Sequence, residues 1–319
     1  MIKNLKHKIL ITGSKGVLGN SFRRNENIFN DYNIIYTSGR DCDLTDQKSC
    51  SDLFEKIKPD YVFHVAAKSG GIGLSSQYQA SHLHDNLLMG LNIAQNCVKH
   101  KVKKTIFTLS VGMYPEKSPL PIKEESNLKG EPHHSNFGYA YAKSIIDPLI
   151  KTYREQYKIN FIGLVPNGIF GPEDNFHPDH SPMLPSLIRK AYLAKQNNQK
   201  LDVWGDGTPL RQYTFADDYV RIFKWALDNY NEPEIINVGT SEEKSIFDIA
   251  KYICNSTGLS EDSINFLTDK PKGIFRRPMS NEKFLNLTDF KYTPLSNGIE
   301  STCNWFAENF KSIEVSNKG

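Results

Sequence analysis

Lys8-Ile9-Leu10-Ile11-Thr12-Gly13-Ser14-Lys15-Gly16-Val17-Leu18-Gly19 decides how the chain is read. An apolar run of strand type passes directly into glycines spaced GxxGxxG, and a helix is expected to open there. Gly13, Gly16 and Gly19 permit a sharp turn and the close approach of backbone to a pyrophosphate. The helix N-terminus then faces the negative charge. In isolation the same letters also read as a glycine-rich turn. Their place after a first strand, inside a strand–helix–strand unit, selects the nucleotide-binding reading.

Outward from this turn, short apolar runs at 8–12, 33–37, 61–66, 104–110 and 160–165 read as buried strands. Between them, Leu83, Leu87, Leu91, Ala94 and Val98 keep helical spacing, as do Ile146, Leu149, Ile150 and Tyr153. Such alternation predicts an α/β fold, a Rossmann-type doubly wound parallel sheet with helices on both faces. This dinucleotide-binding domain is expected over 1–170, with 212–240 returning to it. The texture changes at the loop-like run from Gly171 to Pro178. A smaller C-terminal α/β substrate lobe is expected over 171–319, with strands at 201–204 and 211–215. A helix is expected from Ser245, which forms a capping box with Asp248, to a stop at Gly258. The long polar connection 116–135, with Pro119, Pro121, Pro132 and His133-His134, is expected to border an active site. No metal site is expected, because adjacent histidines do not share a face and no further ligand spacing is visible.

At 319 residues the chain builds one large two-lobed unit or two modest domains. With 39% hydrophobic and 24% charged residues it has the composition of a soluble globule, and no apolar run approaches a membrane span. A net charge of +3 is too mild to argue for nucleic acid. The basic start enters a strand directly, without a signal-peptide pattern. The five cysteines form no CxxC, so neither a disulfide framework nor a zinc site is expected, and a reducing cytoplasm is the default.

Tyr139 precedes Lys143 by four residues on an expected helix, which places both on one face. None of the other fourteen of the chain's 15 tyrosines has a lysine at that spacing. An ammonium there is expected to lower the phenol's pKa and make it a proton donor and acceptor near neutral pH. Ser110, at the end of the fourth strand, is placed to polarise the same substrate oxygen. Singly these are a half-buried helix tyrosine and a strand-end serine. Together with the glycine turn they point to a nicotinamide-dependent oxidoreductase acting on a carbonyl or carbinol. The second strand ends Thr37-Ser38-Gly39-Arg40, without the acid that an NAD enzyme usually places on the ribose 2′-hydroxyl. Ser38 and Arg40 suit a 2′-phosphate, so NADPH/NADP+ is favoured, although Arg40 also reads as a solvated loop residue. Asp43 reads either as an acceptor for the adenine amine or as a cap of the next helix.

With these motifs the chain resembles the extended short-chain dehydrogenase/reductase family and, within it, the GDP-L-fucose synthases. The matching stretches are the glycine turn, Val65-Ala66-Ala67-Lys68 before Gly70-Gly71-Ile72, Met113-Tyr114-Pro115, and His134 through Tyr139. Phe170-Gly171-Pro172 with Asp174-Asn175-Phe176, Val203-Trp204-Gly205 and Thr208 through Arg211 match as well. The resemblance implies a GDP-linked 4-keto sugar substrate, NADPH, and a homodimer formed through two helices per subunit. It places the GDP pyrophosphate on Lys190 and Arg211, with Trp204 as an apolar wall and Arg277 as a further cation.

Two departures bear on activity. The resembled enzymes epimerise C3 and C5 before reducing C4. They use a cysteine two residues beyond the serine and a histidine three residues before the proline of a helix start. Here those positions are Gly112 and Pro182, which carry no transferable proton. The expectation is a C4 reductase of a GDP-linked 4-keto 6-deoxyhexose or heptose, without epimerisation. A bifunctional synthase whose acid and base moved to His177, Asp179 or His180 is the alternative. A non-catalytic NADP-binding regulatory protein is the reading that loss of the Ser–Tyr–Lys set would have favoured, and all three are present. The family's Pro-Thr-Asn is here Pro166-Asn167-Gly168, which removes one polar contact to the sugar.

Overall fold

The computed structural model describes residues 6–270 and 272–316, so the basic start over residues 1–5 lies outside it. The chain first lays down β1 (His7–Thr12), α1 (Val17–Arg24), β2 (Tyr32–Thr37), α2 (Gln47–Ile57) and β3 (Tyr61–His64). Next come α3 (Ile72–Gln77), α4 (Gln79–Lys99), β4 (Lys104–Thr108), α5 (Phe137–Tyr157) and β5 (Phe161–Val165). There follow β6 (Gly168–Phe170), α6 (Met183–Asn197), β7 (Leu201–Trp204), β8 (Leu210–Arg211), β9 (Tyr213–Phe215), α7 (Ala216–Asn229) and β10 (Ile236–Asn237). The chain ends through β11 (Lys244–Ser245), α8 (Ile246–Thr257), β12 (Ile264–Leu267), α9 (Glu282–Leu285) and α10 (Leu295–Ser316).

Six strands form one sheet in the order β10-β5-β4-β3-β1-β2, and every pair is parallel. The order reverses between β1 and β3, so a crevice opens above their C-terminal ends. Strand alternation divides the core. Leu10, Val62, Phe107 and Phe161 pack under α2, α4 and α5, while Ile9, Ile11, Phe63 and Ile106 pack under α1 and α7. This is the doubly wound Rossmann-type architecture read from the sequence. A third core of Leu184, Ile188, Leu201, Ile249, Ile253, Ile299 and Phe306 joins α6, α8 and α10. The run expected as one strand over 211–215 is split, because β8 pairs with β11 while β9 pairs with β6. The capping box at Ser245 and Asp248 forms, and Gly258 ends α8 with φ +70°.

The helix that carries Tyr139 and Lys143 contains Pro148, which removes the bond its N–H would give the Ser144 carbonyl. Asn127, from the long 116–135 connection, fills the gap. Its Nδ2 donates to Ser144 O at 3.2 Å and to Asp147 Oδ2 at 3.0 Å. At the other end Gln79 clamps the start of α5, accepting from Gly138 N at 2.8 Å and donating to His134 O at 2.7 Å. Asn127→Ala strips both partners in a buried place and is expected to destabilise the fold by about 2 kcal/mol in urea unfolding, with the slope m unchanged.

Candidate active site

A cleft of about 1030 Å³ lies over the C-terminal ends of β1, β3, β4 and β5. Gly13, Lys15, Ser38, Asp43, Ser110, Tyr139 and Lys143 line it, and Asp174, Asn175 and Pro182 close its far wall. Gly13 turns with φ +70°, and a Cβ on it would stand 2.6 Å from Ala66 Cα. A Cβ on Gly19 would meet Gly13 O at 2.4 Å. These two glycines press the turn against β3 and against α1. Gly16 meets only ordinary contact inside the chain, at 3.6 Å from Gly13 O. It sits at the N-cap of α1 with no side-chain cap, so the first helical N–H groups face the cleft. This cradle fits a dinucleotide diphosphate.

At the Ser38 end the structure changes the reading. Ser38 N and Oγ both donate to Asp41 Oδ2, at 2.8 and 2.6 Å. These bonds, aided by Lys15 and Arg23, hold the Asp41 carboxyl below its usual range. An acid does therefore stand at this strand end: Asp41, the residue after Arg40, folds back onto Ser38. Arg40 is exposed and is not among the lining residues, whereas Lys15 is. Asp43 accepts from Thr45 N and Oγ1, and α2 is capped by Asp46 instead.

At the other end Ser110 Oγ accepts from Gly112 N at 3.1 Å, and Ser110 lies near enough to the Tyr139 phenol to favour its ionised form. Lys143 Nζ donates to Thr108 O at 2.9 Å and lies 5.8 Å from the Tyr139 ring centroid. Burial pushes the phenol up to about 12, with Ser110 pulling the other way, and pushes Lys143 down to about 8. The expected lowering of the phenol by the ammonium is thus not what this geometry produces. Both groups sit in a poorly solvated place, and the ammonium turns to a carbonyl. His64, which sequence reasoning missed, stands beside them. Burial, then the Lys143 charge, lowers it to about 3, and its Nδ1 shares a hydrogen bond with Thr12 Oγ1 at 2.9 Å. On the expectation that Lys143 acts as an ammonium beside the reacting oxygen, kcat is expected to fall as pH rises through about 8. A pH–rate profile at saturating substrate checks this.

Lys190, Trp204, Arg211 and Arg277 lie beyond the cleft lining. Lys190 Nζ sits 5.6 Å from the centroid of Trp204, which is 56% exposed. Arg211 Nη1 donates to Leu210 O and Ile274 O, at 2.7 and 2.8 Å. Arg277 Nη2 donates to Tyr114 O and Pro115 O, and its buried Nε has no partner. Asn167 is spent internally, taking Thr214 Oγ1 at 2.7 Å and giving to Thr240 O at 2.7 Å.

His133, His134 and Glu116 come together, with the two imidazole centroids 4.3 Å apart and the ligand atoms of all three within 4.8 Å of one another. Adjacency in sequence therefore did not keep the two rings apart. The tautomer opposes a metal, however. His133 Nδ1 accepts from Ser135 N, so Nε2 carries the proton where a ligand lone pair would be needed. His177, Asp179 and His180 do not line the cleft. The two rings stack at 4.6 Å, and Asp179 N donates to His177 Nδ1.

The sequence profile of the NAD dependent epimerase/dehydratase family matches residues 9–239. The chain belongs to that family. It is 36% identical to a GDP-L-fucose synthase of Dictyostelium discoideum over 96% of this chain and 97% of that protein. A GDP-L-fucose synthetase of Naegleria fowleri, solved with NADP bound, superposes with a TM-score of 0.89 at 35% identity, covering 98% of this chain and 97% of the other. A GDP-mannoheptose C4 reductase of Campylobacter jejuni, also with NADP bound, superposes with a TM-score of 0.85 at 27% identity, covering 95% and 99%. The resemblance read from the motifs is thereby borne out, and the chain is an NADP-dependent enzyme. Among the described residues no helix is long and apolar enough to cross a membrane.

Proposed function

We propose that this enzyme is an NADPH-dependent C4 reductase of a GDP-linked 4-keto sugar, a 6-deoxyhexose or heptose, and that it does not epimerise C3 or C5. The reading is supported by the lining of one cleft by Ser110, Tyr139 and Lys143, and by Gly112 and Pro182 at the two sequence positions where the resembled synthases carry a cysteine and a histidine. NADPH held by the glycine turn and Lys15 would supply hydride to C4. Tyr139 gives its proton to the carbonyl oxygen, Ser110 polarises that oxygen, and the Lys143 charge steadies the phenolate that remains. Solvent then reprotonates Tyr139.

A 4-ketone acidifies the hydrogens on both flanking carbons, so proton exchange there needs groups within hydrogen-bond reach. Gly112 has none, and space beside it is limited. A Cβ there would already lie 3.2 Å from Asn136 Nδ2 and 3.4 Å from Ser110 Oγ. Pro182 lies in the far wall and starts α6. Trp204, Lys190, Arg211 and Arg277 are assigned to the GDP moiety. Arg40 and Lys15 are assigned to the 2′-phosphate. The same reading includes a homodimer across α4 and α5, which pack on one another and leave Leu83, Leu91, Ile145 and Tyr157 exposed.

Turnover of GDP-4-keto-6-deoxymannose with NADPH in heavy water, read by NMR, tests it. The product is expected to carry no deuterium at C3 or C5. Deuterium with inverted configuration at either carbon would replace this reading with a bifunctional synthase.

A further inference from the structure

The end of the cleft beyond β2 brings opposite charges close together. Lys15, Ser38, Gly39 and Asp43 line it. Both donors of Ser38 are taken, because its N and Oγ give to Asp41 Oδ2 at 2.8 and 2.6 Å. The Asp41 carboxylate therefore lies one hydrogen bond from the cleft wall. Asp41 itself is exposed and open to solvent.

Cations surround this carboxylate. The charges of Lys15 and Arg23 both reach it, and Arg23 lies over the Tyr36 ring, 4.0 Å from its centroid. Exposed Arg40 precedes it in the chain. Glu26, also at this corner, accepts from Tyr36 OH at 3.1 Å. Asp41 closes a turn as well, in which Asp41 N and Cys42 N donate to Ser38 O at 3.0 and 3.1 Å. Its charge has a further consequence. A sheet of this kind sets the adenosine ribose at the end of β2, where an acid suits a free 2′-hydroxyl and a cation suits a 2′-phosphate. Here both stand together. Lys15 and Arg40 attract a 2′-phosphate, Asp41 repels it, and Ser38 has no proton left to offer it. A 2′-hydroxyl meets no such repulsion.

We propose that Asp41 sets the balance between the two nicotinamide cofactors: its charge holds NADPH affinity below what the surrounding cations would give, and so keeps NADH within reach as a second cofactor. This rests on the NADP dependence of the chain and not on which sugar is reduced. The bonds from Ser38, with Lys15 and Arg23 behind them, hold the carboxyl below its usual range, so the charge is present at neutral pH. NADH and NADPH deliver the same hydride, since they differ only at the remote 2′ position, and no step of the reduction changes.

The test is a pair of fluorescence titrations, with NADPH and with NADH, on the wild type, Asp41→Asn and Asp41→Ser, without substrate. Asparagine keeps an amide oxygen to accept from Ser38, serine keeps a hydroxyl, and neither carries a charge. In about 20 mM salt each variant is expected to bind NADPH about fivefold more tightly than the wild type, with NADH affinity changed by less than about twofold. At about 1 M salt, where charges are screened within about 3 Å, the gain is expected to vanish. A residue that only builds the turn gives another pattern. Both affinities then fall together, the cofactor-free melting temperature falls with them, and salt leaves their ratio alone. That pattern overturns the proposal. So does an unchanged ratio, or a gain in one variant only, which would lay the effect to shape rather than charge. A wild type that binds NADH more than about a thousandfold less tightly than NADPH overturns it too, because no second cofactor is then within reach.

Discussion

Tyr139→Phe is expected to lower the rate of reduction about a thousandfold and to leave the affinity for NADPH where it was. The substitution removes one oxygen and keeps the ring in its place on α5, so the packing around it is conserved. What is lost, on the proposed reading, is the proton for the carbonyl oxygen as hydride arrives at C4. Ser110 stays within reach of that oxygen but is a poor acid, and Lys143 is turned to Thr108 O at 2.9 Å. Neither replaces the phenol. Single-turnover oxidation of NADPH, followed by its absorbance, reads the chemical step, and a fluorescence titration reads cofactor binding. A variant that keeps more than about a tenth of the rate would show that another group supplies the proton. Tighter or weaker NADPH binding would mean that the ring had moved.

Burial sets the chemistry of this tyrosine, and burial was the part that the sequence hid. YxxxK spacing correctly set Tyr139 and Lys143 one turn apart on a helix. It could not tell that both would lie in a poorly solvated pocket, where burial raises the phenol to about 12 and lowers the lysine to about 8. His64 escaped notice for a similar reason. A histidine in an apolar run acquires meaning only when β1 and α5 close over it. Asp41 lies beyond the strand end, and only the turn after β2 brings its carboxylate back to Ser38. The parallel sheet, by contrast, was legible. Its central strands β4 and β5 are buried on both faces and read as short continuous apolar runs, and helical spacing fills the intervals between strands. Their order across the sheet was not legible, because every parallel neighbour is separated by a crossover that carries no local signal.

The glycine turn is where local sequence and tertiary contact agree most closely, and it yields the second large effect. Gly19→Ala is expected to lower NADPH affinity about a hundredfold and to lower thermal stability even without cofactor. The added Cβ would stand 2.4 Å from Gly13 O, 2.5 Å from Ser14 Cα and 2.7 Å from Ser14 C. All three are backbone atoms, so no side chain swings aside to make room. The first turn of α1 and the 13–14 turn must separate, and Gly13 O, which accepts from Gly16 N at 3.1 Å, loses its place. The N–H groups facing the diphosphate are then no longer aligned. Gly16→Ala is the control. Its Cβ meets nothing closer than 3.6 Å within the chain, so the cofactor-free protein is expected to melt as the wild type does. NADPH affinity should still fall, because the methyl projects where the diphosphate must approach. Melting curves without cofactor, read beside NADPH titrations, separate the two. Equal stability in both variants would mean that Gly19 serves the cofactor alone, and undiminished affinity in Gly16→Ala would move the diphosphate off this turn.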